Sequence, residues 1–413
     1  MANPSPSALD DIRILDLTCQ IGAYCTKLLA DLGADVIKIE PPQGDATRLV
    51  GPFYHDEPGS EQSLLFYNLN TNKRGVTLDL EDERDRERFR KLVPTADIVV
   101  ESFAPGYLDS LGLGYEGLFR LRENVILTSI TGFGQWGPHA GYLAPDIVGV
   151  AMAGIMWLAG DPLDPPNVPC AYQGYVCASI QAAGGTMMAL YHRDVTGEGQ
   201  HVDVSMQEAL LIAQETAMQT YDMNKSVRSR TGGRTSLSFP VPGIGSYEAL
   251  DGWVFSYLGT PGGAPWPEML RWLEEEGMAE DLSVAPHREV VEQLNLGFLT
   301  KIALDKDLRE KSVATLERIG EVLSAFFKSR SKWDLYEQGQ RRRLLIGIVS
   351  TPEDLAKNPQ LNARDWYQDI EHQQLHDTLR YPGPPYRLSE TPWRIERRAP
   401  LLGEHNAEIL GGL

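Results

Sequence analysis

The sequence predicts an α/β protein that consists of a Rossmann-like large domain and a smaller α+β domain. Up to Ile130, short apolar runs alternate with segments of helical spacing, a pattern typical of a parallel sheet with helices on both faces. From about Lys225 the sequence becomes rich in Gly, Pro, Ser and Thr before a new group of strands and helices. The predicted boundaries are 1–224 for the large domain, 225–335 for the small domain with its linkers, and 336–413 for a segment that packs back on the large domain.

The large domain is predicted to open with a βαβ unit. Its strands lie at 13–17 and 35–39, and the helix between them, at 23–32, ends at Gly33. The later elements are predicted as strands at 75–80, 97–101, 125–130 and 201–205 and helices at 83–93, 115–121, 175–191 and 206–221. The apolar run from 147 to 160 predicts a buried helix, because it is shorter than the roughly 20 residues that a membrane-spanning helix needs.

The small domain is predicted to begin with a hairpin. Strand-forming residues around Tyr247 and Trp253 flank a short turn, which indicates two antiparallel strands. Three helices are predicted after the hairpin, at 265–276, 287–305 and 312–329. After Val349 the prolines become frequent, which favours a strap on the first domain over a third core.

Composition excludes several classes of function. A net charge of −19 argues against nucleic acid or an anionic membrane as a partner. Residues 1–7 lack the basic and apolar regions of a signal peptide, so we expect a cytoplasmic protein. Four cysteines without a CxxC spacing predict no metal site. Gly22 is a single glycine in the first strand-to-helix turn and the neighbouring Tyr24 would crowd a pyrophosphate, which argues against NAD or FAD.

Seven segments, spread over nearly the whole chain, carry a family resemblance. They are ILDL at 14–17, VIKIEPP at 36–42, GD at 44–45, NTNKR at 70–74, ADIVVESFAPG at 96–106, TGEGQHVDVS at 196–205 and RRAPLLGEHN at 397–406. In this order they resemble the class III CoA-transferases. The resemblance implies a ring-shaped protomer that interlocks with its partner into an obligate dimer. It also implies a coenzyme A thioester as substrate and no tightly bound cofactor.

The resemblance also reveals a missing nucleophile. In class III enzymes an aspartate attacks the acyl-CoA thioester and forms a mixed anhydride, which a second carboxylate can exchange. Alignment on LYHR at 190–193 places this aspartate at Tyr175, or at Gln173 if the preceding loop is shifted. A phenol with an ordinary pKa of about 10 is protonated at neutral pH, and an amide is not a nucleophile. The resemblance therefore implies that this chain has no catalytic residue of its own.

The family pattern further implies a binding site for coenzyme A. We expect its residues to be Gln20, Phe103, Asn72 and Lys73. Ser102 and Ser110 stand where the family commonly has an asparagine and an arginine that hold coenzyme A. A serine cannot replace a guanidinium at a phosphate, so weak or absent binding is expected.

Four further residues match functional positions of the family. Asp146 corresponds to an acid beside the active site, and His139 lies loosely where racemase-like members use a histidine. A racemase would also need the missing aspartate as its partner base, so racemisation is disfavoured. Gly232 and Gly233 lie where the family has a glycine-rich loop that closes over the partner's active site; a plain linker turn is the alternative.

The leading hypothesis is therefore a non-nucleophilic subunit of a hetero-oligomeric CoA-transferase, whose homologous partner supplies the aspartate. The branch of the family that the chain most resembles consists of two-subunit enzymes. These pass CoA from succinyl-CoA to a carboxylic acid such as (R)-2-benzylsuccinate in anaerobic toluene degradation. Two alternatives stay open. One is a self-sufficient homodimeric transferase, racemase or lyase that uses another carboxylate, such as Asp146 or Glu101; the other is a silent CoA-binding or scaffold protein.

Overall fold

The computed structural model describes residues 6–214, 216–236 and 239–412. The chain divides into two compact units, and each is discontinuous in sequence. The first unit comprises Met1–Trp157, Val168–Arg228 and Gln360–Leu413, and the second comprises Leu158–Asn167 and Ser229–Pro359.

Helices and strands alternate along the first unit, and helices predominate in the second. The helices are α1 Gln20–Asp31, α2 Leu64–Leu69, α3 Glu83–Leu92, α4 Tyr107–Ser110, α5 Tyr115–Leu121, α6 Asp146–Met152, α7 Ile155–Leu158, α8 Gln173–Thr196, α9 Met206–Leu211, α10 Ala217–Asn224, α11 Trp266–Glu275, α12 His287–Gln293, α13 Leu296–Leu304, α14 Lys306–Lys328, α15 Lys332–Arg341, α16 Pro352–Lys357, α17 Pro359–Ala363 and α18 Asn406–Leu410. The strands are β1 Arg13–Leu17, β2 Asp35–Glu40, β3 Arg74–Thr77, β4 Ile98–Glu101, β5 Ile126–Thr131, β6 His201–Ser205, β7 Arg234–Ser236, β8 Pro240–Ala249, β9 Gly252–Tyr257, β10 Ile346–Val349, β11 Gln368–His372 and β12 Asp377–Tyr381.

A parallel six-stranded sheet forms the centre of the first unit. Its strand order is β3-β2-β1-β4-β5-β6, which confirms the predicted α/β class. Ile14 and Leu15 project to opposite faces of β1 and are both fully buried, because helices cover each face. The order of the strands reverses between β1 and β4, so the chain leaves these neighbouring strands in opposite directions. In open α/β sheets such a switch point leaves a crevice at the carboxyl ends of the strands.

One predicted helix of the first unit is wrong. The apolar run 147–160 forms two short helices, α6 and α7, instead of one buried helix. Gly154 separates them with a φ of +78°, a left-handed conformation that glycine adopts without strain. Ile147, Met152 and Trp157 are each about half exposed, so the run is not a buried core element.

Two long helix predictions are also wrong, because each segment contains a break. The segment 206–221 is interrupted by a 3-10 turn at Ile212–Gln214, between α9 and α10. There the Gln214 side chain donates to the carbonyl of Ala153. The segment 287–305 is divided into α12 and α13. There the side chain of Asn295 accepts the backbone N–H of Phe298 and so begins a new helix.

The second unit is built on a four-stranded antiparallel sheet of order β10-β9-β8-β7. The predicted hairpin is confirmed as β8 and β9, in which Tyr247 pairs with Val254. Its core is aromatic: Trp266, Trp272, Phe326 and Phe327 are almost completely buried. They come from α11 and α14, which correspond to the helices predicted at 265–276 and 312–329.

The end of the chain returns to the first unit. The hairpin of β11 and β12 packs through Ile370 and Tyr381 against Phe66 and Tyr67. In residues 6–214, 216–236 and 239–412, no helix is both long enough and apolar enough to cross a bilayer.

Candidate active site

A cavity of about 370 Å³ lies at the switch point of the first unit, where β1 and β4 end. It is lined by residues 19–21, 102–105, 130–132 and 140–144 together with Ala46, Thr47, Val50 and Tyr175. We call it the switch-point cavity. It brings together three residues from distant parts of the sequence that the sequence pointed to, namely Gln20, Phe103 and Tyr175.

The lining of the switch-point cavity is uncharged. None of the described residues that form it is an aspartate, glutamate, lysine, arginine or histidine. Its reactive or polar side chains include the thiol of Cys19, the amide of Gln20, the hydroxyl of Ser102 and the phenol of Tyr175. Such a lining suits the apolar and amide parts of a ligand, and it offers no carboxylate that could form an anhydride.

Tyr175 lies in the first turn of α8, at the position where the family resemblance expects the aspartate. Burial is the main factor that raises the pKa of its phenol above the ordinary value. Its ring is nearly parallel to that of Tyr172, with 6.0 Å between the ring centroids. Tyr175 is therefore a protonated phenol at neutral pH and cannot act as a carboxylate does.

Asp146 lies close to Tyr175, but its carboxylate already has a structural partner. Its Oδ1 accepts the backbone N–H of Tyr175 at 3.0 Å, and the residue is 8% exposed. The carboxylate therefore caps the amino end of α8, where negative charge is stabilising. His139 is exposed on the loop before α6 and stacks on Tyr142, with ring centroids 5.0 Å apart.

Ser102 and Ser110, at the two positions where the family resemblance implies coenzyme A ligands, both bond to the backbone. The Ser102 hydroxyl accepts the backbone N–H of Cys19 at 2.8 Å and lies 3.3 Å from the Cys19 sulfur. Ser102 thus joins the end of β4 to the start of α1 across the switch point. The Ser110 hydroxyl donates to the carbonyl of Tyr107 at 2.6 Å.

Asn72 and Lys73, which were expected to bind coenzyme A, do not line the switch-point cavity. The ammonium of Lys73 is completely buried and donates to Asp16, Thr26, Asn70 and the carbonyl of Ala23. Asn72 donates to Asp31 and accepts the backbone N–H groups of Glu396 and Arg397. These contacts give both residues a structural role: Lys73 neutralises a buried acid, and Asn72 fastens the end of the chain to α1.

The buried acid is Asp16, on β1. Burial alone would raise its pKa, but the ammonium groups of Lys73 and Lys38 outweigh this effect and lower the pKa to about 2. Lys38 in turn donates to Asp45 at 2.9 Å. We call Asp16, Lys38, Asp45 and Lys73 the buried ion network.

Arg48 is the cation nearest in sequence to the cavity residues Ala46, Thr47 and Val50, and it too is paired. Its guanidinium donates to both oxygens of Glu40, at 2.6 and 2.8 Å, and to Glu61 at 2.8 Å. With its donors held by carboxylates, it is poorly placed to bind a phosphate.

Glu101, at the end of β4, lines a second cavity rather than the switch-point cavity. The sequence favours Glu101 only as a substitute nucleophile, although its position at the carboxyl end of a central strand, where ligands bind in open α/β sheets, also indicates a residue close to the site. Across the described residues, no three His, Cys, Asp or Glu side chains form a group that could hold a metal ion.

The glycine pair lies in the second unit, just before β7. Gly232 has a φ of +73° and donates its N–H to the carbonyl of Gly160 at 3.1 Å. A Cβ atom at this position would lie 2.9 Å from a carboxylate oxygen of Asp161. The left-handed conformation favours glycine here, whereas the end of the Asp161 side chain could shift to make room for a Cβ atom.

Comparison with known proteins identifies the relatives of the chain. A family model described as CoA-transferase family III matches residues 9–406. The subunit BbsE of the succinyl-CoA:(R)-benzylsuccinate CoA-transferase of Thauera aromatica is 38% identical over 96% of this chain and 92% of that protein. The succinyl-CoA:mesaconate CoA-transferase of Haloarcula hispanica is 32% identical over 98% of this chain and 96% of that protein. The crystal structure of a CAIB/BAIF family protein from Brucella suis has a TM-score of 0.81 and 26% identity, and the match covers 98% of this chain and 99% of that one.

Proposed function

The chain belongs to CoA-transferase family III, and we propose that it is the non-nucleophilic subunit of a hetero-oligomeric CoA-transferase. A homologous partner subunit supplies the aspartate that attacks the thioester. The transferred group passes from succinyl-CoA to a carboxylic acid, for which (R)-2-benzylsuccinate is the first candidate. Coenzyme A thioesters are the substrates, and the enzyme works in the cytoplasm.

The observation that carries this proposal is the uncharged lining of the switch-point cavity. Anhydride chemistry needs an ionised carboxylate beside the thioester carbon, and Tyr175 offers a protonated phenol. The nearby acid, Asp146, caps α8 through its carboxylate. A second subunit with an intact aspartate would supply the missing carboxylate, and the fold of this chain would not need to rearrange.

The names of two relatives support the choice of donor and acceptor. The 38% identical relative is named as a subunit of an enzyme acting on succinyl-CoA and (R)-benzylsuccinate, and the mesaconate enzyme also uses succinyl-CoA. Both acceptors are dicarboxylic acids. A site without cations, like the switch-point cavity, would bind a dianion poorly. We therefore assign the acceptor to the partner's site.

An exposed apolar row on α8 supports the existence of a partner. Ile180, Met188, Tyr191 and Val195 lie at helical spacing on one face and are between 47% and 75% exposed. Exposed apolar side chains grouped on one helix face, unlike single scattered ones, favour a protein–protein contact over a solvated face. We propose that the homologous subunit covers this row.

The family architecture extends the proposal to the whole assembly. In it, ring-shaped protomers interlock, and the loop with Gly232 and Gly233 closes over the active site of the partner subunit. This chain would then complete the productive site of its neighbour while its own site stays silent. Substitution of Gly232 by valine would strain the loop and lower the activity of the pair without preventing its assembly.

The test compares this chain alone, the partner alone and the co-purified pair in CoA transfer from succinyl-CoA to (R)-2-benzylsuccinate. We expect activity from the pair only. Activity of this chain alone would favour a self-sufficient homodimer, and full activity of the partner alone would remove the need for this subunit. A pair that forms but transfers no CoA to any tested acid would favour a scaffold role.

A further inference from the structure

Glu101 directly precedes two residues of the switch-point cavity wall, Ser102 and Phe103, but does not line that cavity itself. It is the last residue of β4 and is 5% exposed, whereas Ser102 and Phe103, which follow it, line the cavity. Its Oε2 accepts the backbone N–H of Phe103 at 2.7 Å. One carboxylate therefore holds the backbone amide of Phe103 at the turn that follows the strand.

A second cavity of about 400 Å³ lies on the other side of this turn. It shares Ala104 and Pro105 with the switch-point cavity, and Glu101, Ser129 and His201 contribute to its polar lining. Ser129 lies opposite Glu101 in the sheet, and its hydroxyl is 2.9 Å from Nε2 of His201. The turn thus separates the two cavities. On the side of the second cavity it lies next to the polar side chains of Glu101, Ser129 and His201.

The charges around Glu101 disfavour its ionised form. Burial raises its pKa to about 7, and Asp109 on α4 and Asp203 on β6 contribute to the rise. The Ser129 hydroxyl and the Phe103 N–H oppose it. His201 on β6 is the basic group among the described residues that line this cavity, and burial lowers its pKa, which disfavours a positive charge beside Glu101.

We propose that Glu101 is a positioning residue whose ionised carboxylate holds Ser102 and Phe103 in place as the wall of the switch-point cavity, and whose protonation loosens that wall. The physical reason is that a hydrogen bond to a charged acceptor is about twice as strong as one to a neutral acceptor. Because Ser102 also fastens the start of α1 through Cys19, the effect reaches both sides of the switch point. The inference concerns the wall itself and does not depend on which subunit carries the nucleophile.

Solution NMR of the whole chain with ¹⁵N-labelled phenylalanine tests this directly. We expect the amide signal of Phe103, assigned by its loss in Phe103→Leu, to titrate with a midpoint at about 7 and to move downfield as Glu101 ionises. In Glu101→Gln the amide should not titrate, whereas the exposed Glu87→Gln should leave the titration unchanged. A Phe103 signal that stays fixed in the unsubstituted chain, or that titrates equally in Glu101→Gln, would overturn the proposal.

A second measurement keeps the proposal testable if Glu101→Gln folds poorly. His201→Gln removes the histidine that lies within hydrogen-bond distance of Ser129 and keeps Glu101, so the Phe103 titration should persist in it. The Phe103 titration is read on this chain alone, so it stays informative if the partner hypothesis fails. A carboxylate that only fills space would leave the Phe103 amide without a pH-dependent shift, whereas one that accepts its N–H makes that amide report the ionisation.

Discussion

The buried ion network and the switch-point cavity are both built from the first strands of the sheet, and they use charge in opposite ways. The network places Asp16, Lys38, Asp45 and Lys73 in the interior, where each charge has an opposite partner within 2.9 Å. The cavity has space for a ligand but no charged side chain among its described lining. Charged residues of the family segments thus stabilise the fold, and the site keeps its shape without the group that would perform the chemistry.

Removal of Lys73 tests whether the buried ion network stabilises the fold. Lys73→Met leaves Asp16 buried without its main partner, so we expect the free energy of unfolding to fall by about 3–5 kcal/mol. Urea denaturation measures this loss. Lys91→Met, on the exposed face of α3, should change stability by less than about 0.5 kcal/mol.

A double substitution separates the ion pair from a ligand-binding role. Asp16→Asn with Lys73→Met removes both charges, so it should be more stable than Lys73→Met alone. If Lys73→Met is as stable as the original chain but loses thioester binding in the pair, then Lys73 contacts the ligand. That result would contradict the structural role given to Lys73 in the buried ion network.

A charge placed on the apolar row of α8 tests the partner surface. Tyr191→Glu should weaken association with the partner by at least about 2 kcal/mol, roughly 30-fold, because a buried aromatic contact is replaced by an unpaired charge. Leu304→Glu puts the same charge on an equally exposed apolar site of the second unit and should leave association unchanged. Analytical ultracentrifugation of the mixed subunits measures both, and equal affinities for the two variants would contradict this assignment.

Acid should destabilise the folded chain because it protonates Asp16 in the buried ion network. Because the folded-state pKa of Asp16 is about 2 and its ordinary value is 3.8, its contribution is complete above pH 4 and is lost as the pH falls towards 2. The shift corresponds to about 2 kcal/mol of stability. The unfolding free energy of the original chain should therefore fall more steeply between pH 4 and 2 than that of the Asp16→Asn, Lys73→Met double variant. Parallel curves would show that the network is not coupled to protonation.

Restoring a carboxylate to the switch-point cavity should restore little CoA-transfer activity, which is the smallest effect expected among these variants. Tyr175→Asp introduces the missing carboxylate, but the hydroxyls of Ser102 and Ser110 bond to the backbone and offer no charged donor for a coenzyme A phosphate. We expect transfer by this variant alone to stay about 100-fold or more below that of the pair, since a misplaced thioester forfeits at least this much. Rates close to those of the pair would show that the cavity lacks only its nucleophile.

Much of the fold could be predicted because its strands are buried on both faces. Apolar residues make up at least half of Arg13–Leu17 and Asp35–Glu40, and all but the first residue of each strand are buried, as a parallel sheet covered on both faces requires. The helix breaks at Gly154 and Asn295 were missed. A single glycine or a single capping side chain decides such breaks, and both residue types also occur inside continuous helices.

The site could be predicted only in part. Gln20, Phe103 and Tyr175 lie together because strand ends converge at the switch point, which sequence order indicates. Lys73 belongs to an equally specific segment, yet its ammonium is directed into the core. A motif identifies a residue type at a position, and only the fold shows whether that side chain faces a ligand or a buried acid.

The most direct test of the central claim is to trap the anhydride. The co-purified pair is incubated with succinyl-CoA, treated with hydroxylamine, and both chains are analysed by peptide mass spectrometry. We predict a hydroxamate on one aspartate of the partner subunit and none on this chain. A hydroxamate on Asp146, Glu101 or any other acid of this chain would contradict the assignment of the nucleophile to the partner.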